Sequence, residues 1–361
     1  PLGEGAADMV YDDLTEAVGQ VVERVSTPWT REDARTLAAL AAAGLIFVAA
    51  LLLATTPPDA LTALDPQAVT RYNLIAGAIG IVSALLVTAT SVVMTRKYPG
   101  ASGVALAHTV PLLTAAAALR LSQSHWDTAG WGWTGLGLLI GALAVLTLPK
   151  RYRISIAAPL VVGTVLAATG LLVRLGQLSQ AGISAILFAL IIVLLQVAPW
   201  IALAHIPVRI LDADTTEQIP AKGITDQVSN SFVFVVALRS GGAVAAIFLT
   251  ISLMTAPEMR SVSLPLTLLT LGAVSLVLQT RSIRARVEVL LGALSGLIVI
   301  LVATVLGAYA DPRTMPWLTL TAIATALVLV VTNVVGPRAR PHLTRIADTV
   351  SVLSLFVLLP L

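Results

Sequence analysis

The chain has no cysteine among its 361 residues, only four histidines, and charge on only 11% of its side chains. Without cysteine there is no disulfide, no thiolate metal site and no cysteine nucleophile, and the redox compartment stays undecided. The histidines, His108, His125, His205 and His342, are scattered and lack any paired metal-ligand spacing. No GxxxxGK[ST] phosphate loop and no GxSxG elbow occurs. The shortage of charge excludes the most, because a soluble domain is about a quarter charged. What fills the space is hydrocarbon: 57% of residues are hydrophobic and the mean hydropathy is +0.92. The composition is that of an all-α polytopic membrane protein. A net charge of +3, dispersed along the chain, leaves no electrostatic footprint for nucleic acid.

A bilayer crossing takes about 20 mostly apolar residues. Eleven stretches qualify, at approximately 37–54, 74–94, 101–121, 131–148, 154–173, 181–203, 232–254, 262–278, 289–309, 317–335 and 346–361. Lys and Arg set their orientation. With the amino end and every second loop on one side, only Arg71, Arg120, Arg174, Arg260 and Arg313 fall opposite. Arg239 lies inside a span, and all other basic residues share the first side. One miscounted helix would mix the two groups, so the split supports eleven crossings, a cytoplasmic amino end and an outer carboxyl end. The organisation expected is a cytoplasmic juxtamembrane segment over 1–36, then an eleven-helix domain over 37–361 with a long cytoplasmic loop at 204–231.

The first segment, "ADMVYDDLTEAVGQVVERV", spaces Val10, Leu14, Val18, Val21, Val22 and Val25 as one helix face, with acidic residues on the others. Its acidity suits docking onto protein better than lying on an anionic membrane. Thr30 and Asp33 make a capping-box pattern, and Arg31 opens a helix that runs into the first span. Pro1 is not a methionine, so a segment upstream of it is expected. The loop at 204–231 carries Pro207, Pro220 and the acidic group Asp212, Asp214 and Glu217, which point to an extended strap. It is longer than a turn requires, which suits partner contact; the alternative is a merely solvated linker. In "LQTRSIRARVEVLLG", Arg281, Arg284 and Arg286 hold the ninth span in register; Arg284 and Glu288, four apart, suit one helix face.

All 19 Asp and Glu fall in loops or at helix ends, which argues against a proton-coupled transporter. Enzymatic chemistry has no constellation to work with, so the chain is expected to be no enzyme and to need no cofactor or metal. Two polar positions stand inside spans. Arg239 lies eight residues past Ser231, about 12 Å up its helix. It either snorkels back to the interface or pairs with a partner subunit or a lipid phosphate. His108 reads as a packed, hydrogen-bonded side chain rather than a ligand. Arg120 and Arg174 read as anchors at outer helix ends. Gly137 with Gly141, and Gly292 with Gly296, form GxxxG patterns that let helices approach closely, within a subunit or between two. Pro111 and Pro265 fall at matching places of a five-plus-five scheme, as in inverted-repeat transporters, although Pro265 sits in a first turn where proline is tolerated. A stand-alone carrier of a neutral or lipid-like solute is therefore the competing reading.

The order of features is specific: an acidic amphipathic helix ("VYDDLTEAVGQVVERV"), a Trp29 entry, and eleven spans with a long cytoplasmic loop after the sixth. The "RSIRARVEVLLG" loop then precedes the ninth span, and "RIADTVSVLSLFVLLPL" forms the last. This layout resembles EccD, the polytopic membrane component of the type VII (ESX) secretion system of mycobacteria and related actinobacteria, over essentially the whole chain. The resemblance implies a non-enzymatic inner-membrane scaffold, preceded in the family by a cytoplasmic ubiquitin-like domain. It also implies paired copies enclosing a lipid-lined space, assembled with EccB-, EccC- and EccE-like subunits into a six-fold complex in which EccC supplies the ATPase. On that reading Asp212, Asp214, Glu217, Arg281, Arg284 and Arg286 are the partner-contact candidates, the arginines serving also as a topology lock.

Overall fold

The computed structural model describes residues 31–55, 66–97, 101–123, 128–149, 153–176, 178–204, 221–258, 261–279 and 286–316, with 318–320, 323, 349, 353–354 and 356. Among the described residues every regular element is helical. The helices are α1 (Arg31–Thr55), α2 (Pro66–Lys97), α3 (Ala101–Ala107), α4 (Val110–Leu121) and α5 (Thr128–Ala142). They continue with α6 (Ala157–Gly176), α7 (Gln180–Ala204), α8 (Ala221–Met254), α9 (Ser263–Gln279) and α10 (Arg286–Ala310). Among the described residues eight stretches are long and apolar enough to cross a bilayer, and α9 is a shorter apolar helix. They coincide with the first nine predicted spans. The last two, 317–335 and 346–361, lie almost wholly outside the described residues, as does the amphipathic segment at 7–25.

The third span is broken. Proline cannot donate to the carbonyl one turn back, and with Pro111 in the first turn of α4 the chain turns at His108–Thr109 between α3 and α4. The turn keeps its backbone bonds, His108 N–H to Val104 O at 3.2 Å and Thr109 N–H to Leu106 O at 3.1 Å, and side chains reinforce both: Nδ1 of His108 donates to Val104 O at 2.8 Å, and Thr109 Oγ1 donates to Leu106 O at 2.8 Å. Hydrocarbon supplies no replacement partner, so such local closure is what makes the break tolerable. Pro199 inside α7 poses the same problem. Its missing N–H orphans the carbonyl of Leu195, and Gln279 of α9 reaches across to donate to that oxygen at 2.8 Å. A proline defect in one helix thereby becomes a link to another. Gln196 adds a second link, donating to Ser275 Oγ at 2.6 Å.

Two helices are longer than the bilayer. α2 has 32 residues and α8 has 34, about 50 Å each against a hydrocarbon core of about 30 Å. The first part of α8, ahead of the span at Asn230–Met254, corrects the expected extended strap. From Ala221 onward the loop is helical. Once a span is nucleated, each added residue closes a hydrogen bond at little cost, and no proline stands between Pro220 and the membrane to stop propagation backward. Residues 205–220, the rest of the strap, are outside the described set.

Burial sorts the helices into centre and rim. In the α3–α4 span 61% of the most apolar window is buried, against 11% in α1 and 22% in α10. The largest core joins α6, α7, α8, α9 and α10 around Phe188, Ile192, Leu249, Leu269 and Val299. A smaller one joins α4, α5 and α6 through Trp131, Leu138, Val162 and Leu166. α1 and α2 meet α4 through Ala50, Ala84, Val110 and Leu113.

Candidate functional site

Three features could do more than pack: a buried ion pair, seams where backbones touch, and an apolar cavity. The ion pair joins α8 to α10. Arg239 and Glu288 are both buried, with Nη1 of the arginine 3.2 Å from a carboxylate oxygen. Glu288 sits in the first turn of α10, where the helix dipole favours a carboxylate. Arg239 thus turns back toward a helix end, as a snorkelling side chain does, and ends on a carboxylate of its own chain instead of on water. For Arg239 the sequence leaves open snorkelling or a lipid or neighbouring-subunit partner, and within the chain Glu288 takes its Nη1; Arg284, the i−4 neighbour of Glu288, lies outside the described residues. Two further donors of Arg239, Nε and Nη2, are buried with no hydrogen-bond partner.

Arg120, in the last turn of α4, is buried, and its Nε donates to the Leu53 carbonyl at the end of α1. One of the four carbonyls that a helix end leaves unpaired is thereby satisfied. Arg174, at the end of α6, is exposed. At the same end of the bundle Gln180 of α7 donates to the carbonyl of Ser252 at 3.0 Å and to its hydroxyl at 3.2 Å, and Ser184 lies 2.7 Å from that hydroxyl.

The seams are built on glycine. A Cβ at Gly137 would stand 2.5 Å from the Thr114 carbonyl and 2.7 Å from Ala115 Cα, and one at Gly141 would meet Thr114 Oγ1 and Pro111. Both therefore close α5 onto α4. Gly296 packs α10 on α9, 2.6 Å from Val277 and 2.8 Å from the Ala273 carbonyl by the same measure. Gly292 is half-buried, its carbonyl accepting from Ser295 at 3.0 Å. A third seam had no GxxxG signature. Gly135 on α5 lies against Gly163 and Ala167 of α6, so close that an added Cβ would run into the Ala167 amide nitrogen.

The cavity, of about 580 Å³, lies between α1, α4, α5, α6 and α8. Phe47 and Leu51 of α1, Leu112 and Leu119 of α4, Val244 and Phe248 of α8 form its apolar walls. Among the described residues that line it, His108, Thr134 and Ser240 carry the polar side chains. Sequence reading had no means of finding it, since its walls come from five separated segments.

Of the partner-contact candidates, Asp212, Asp214, Glu217, Arg281 and Arg284 lie outside the described residues; Arg286 is described only as the first residue of α10. Among the described residues no three His, Cys, Asp or Glu are grouped closely enough to hold a metal ion.

Residues 34–361 match the family model for the EccD-like transmembrane domain. No match was found among curated proteins. Among solved structures, protomer 1 of the ESX-3 core complex superposes with a TM-score of 0.68 at 17% identity, covering 99% of this chain and 82% of that one. A chain of the MycP5-free ESX-5 inner membrane complex in State II superposes with a TM-score of 0.62 at 16% identity, covering 90% and 78%. At such identities the likeness is one of fold.

Proposed function

Because the chain belongs to the EccD-like transmembrane domain family over residues 34–361, we propose that it is a multi-pass inner-membrane scaffold and channel-forming component of a type VII secretion complex. The family match carries this reading, and the fold shared with chains of ESX-3 and ESX-5 complexes supports it. Copies pair to enclose a lipid-lined space and join EccB-, EccC- and EccE-like subunits in a six-fold assembly. The energy of transport comes from the ATPase of that assembly, and this chain contributes shape, spacing and attachment without chemistry of its own. The rim helices α1 and α10, with most of their apolar surface outside the bundle, suit contact with lipid and neighbouring subunits. The cytoplasmic extension of α8 and the acidic strap before it, with the arginines ahead of α10, suit attachment of the soluble machinery.

The strap gives a direct test. Asp212→Lys combined with Asp214→Lys reverses its charge without touching a span. The doubly reversed protein is expected to insert normally, to co-purify with the ATPase subunit at least tenfold less, and to secrete correspondingly less. Assembly and secretion at the unmodified level would reduce the strap to a linker.

A further inference from the structure

We propose that the cavity between α1, α4, α5, α6 and α8 is a binding site for one acyl chain of a membrane lipid, held inside each single chain. This goes beyond the scaffold reading, in which lipid fills a space between paired copies; here the site is complete within one.

The lining decides the chemistry of the guest. Each of its polar side chains has a donor engaged by a carbonyl three or four residues back. Thr134 donates to Gly130 O at 2.8 Å, Ser240 to Ala237 O at 2.9 Å, and Nδ1 of His108 to Val104 O at 2.8 Å. What they leave facing the cavity are acceptors, Nε2 of His108 and the two hydroxyl oxygens; among the described lining residues there is no carboxylate for a cationic guest and no lysine or arginine for an anionic one. These few acceptors are scattered over three elements in walls that are otherwise hydrocarbon, and cavities lined in that way take apolar guests.

Position decides the source. Phe47 and Leu51 on α1 and Val244 on α8 line the cavity and are each about half exposed on the outside of the chain. They belong to the spans Ala34–Thr55 and Asn230–Met254, so the mouth between these helices opens sideways at the level of the hydrocarbon. α1 packs on α3 and α4, and across the cavity from it stand the α8 residues Ser240, Gly241, Val244 and Phe248. Size decides between a lipid and a neighbouring protein. About 580 Å³ is more than any one side chain fills, and it falls within the range of about 300–1,000 Å³ typical of ligand pockets. A flexible chain entering from the side suits it better than a knob from another helix.

The test uses the full chain, in its assembled complex and dissociated from it. Phosphatidylglycerol carrying a diazirine at mid-chain is supplied at about one molecule per chain after delipidation, then photolysed, and adducts are mapped by mass spectrometry. Adducts are expected on Leu112, Leu119 and Phe248 at least tenfold above those on Leu290 and Leu301, which are exposed on α10. Native mass spectrometry should find one phospholipid retained per chain. Ala54→Phe with Ser240→Phe, which places two rings in the cavity, should lower that occupancy tenfold. Adducts spread evenly over α10 and the cavity, or no retained lipid in either state, would overturn the proposal. So would a cavity that admits the probe only after neighbouring subunits are removed, which would assign it to a protein plug. None of these outcomes depends on whether the chain acts as a scaffold.

Discussion

Glu288→Gln is expected to destabilise the folded chain by about 3–5 kcal/mol, the usual cost of removing one partner of a buried ion pair. The glutamine has nearly the shape of the glutamate, so packing between α8 and α10 changes little and the loss is electrostatic. Arg239 keeps its charge, and two of its donors are already buried without partners. Losing the carboxylate that neutralises its Nη1 leaves a cation in an apolar seam. Arg239→Leu with Glu288→Leu together should restore most of the stability, because an apolar pair of similar volume needs no desolvation. Thermal unfolding in a mild detergent measures both. A midpoint for Glu288→Gln that matches the parent protein would mean that water or lipid, not Glu288, solvates Arg239.

The second large effect is steric. Gly135→Ala adds one methyl group at a point where α5 and α6 touch backbone to backbone. The nearest atoms, at Ala167 and Gly163, belong to main chain, so no side chain can swing aside and the helices must separate. Overpacking costs about 1–3 kcal/mol and occasionally more, and a clash with immobile backbone belongs at the upper end. The separation would also disturb the Trp131–Leu138–Val162–Leu166 core. Gly44→Ala is the control. A Cβ there has nothing within 4 Å, so the substitution should leave stability unchanged or raise it by up to about 1 kcal/mol through helix propensity. Equal midpoints for the two variants would show that the α5–α6 seam is looser than described.

Much of the fold was legible in the sequence because the bilayer simplifies the problem. A crossing needs a run of fixed length, and the nine apolar helices fall where those runs predict them. What the runs conceal is what happens inside them. Pro111 signalled trouble in the third span, but the place of the turn at His108–Thr109, where backbone and side chain both bond to Val104 O and Leu106 O, is not revealed by spacing alone. Pro199 raised no expectation, and its compensation comes from Gln279, eighty positions later. The strap was misread from Ala221 onward because prolines and acidic residues were weighed against a helix that the adjoining span propagates at little cost. Arg239 was recognised as an oddity. Its partner was not, because Glu288 at a helix end reads as solvated until α8 and α10 are packed together. Gly137 and Gly141 stand where α5 closes on α4, and Gly296 where α10 meets α9, while the backbone-to-backbone seam at Gly135 meets its partner glycine on a different helix and so leaves no local pattern. The cavity belongs to the same class, a property of five helices at once.

The central claim is that this chain works as one structural part of a large secretion assembly and not as an agent on its own. The mass of the complex released from membranes by a mild detergent tests it most directly. The account predicts that the 37.5 kDa chain is found in a hetero-oligomer many times its own mass, in more than one copy and together with an ATPase subunit. Recovery as a free monomer that moves or converts a defined compound by itself would contradict it.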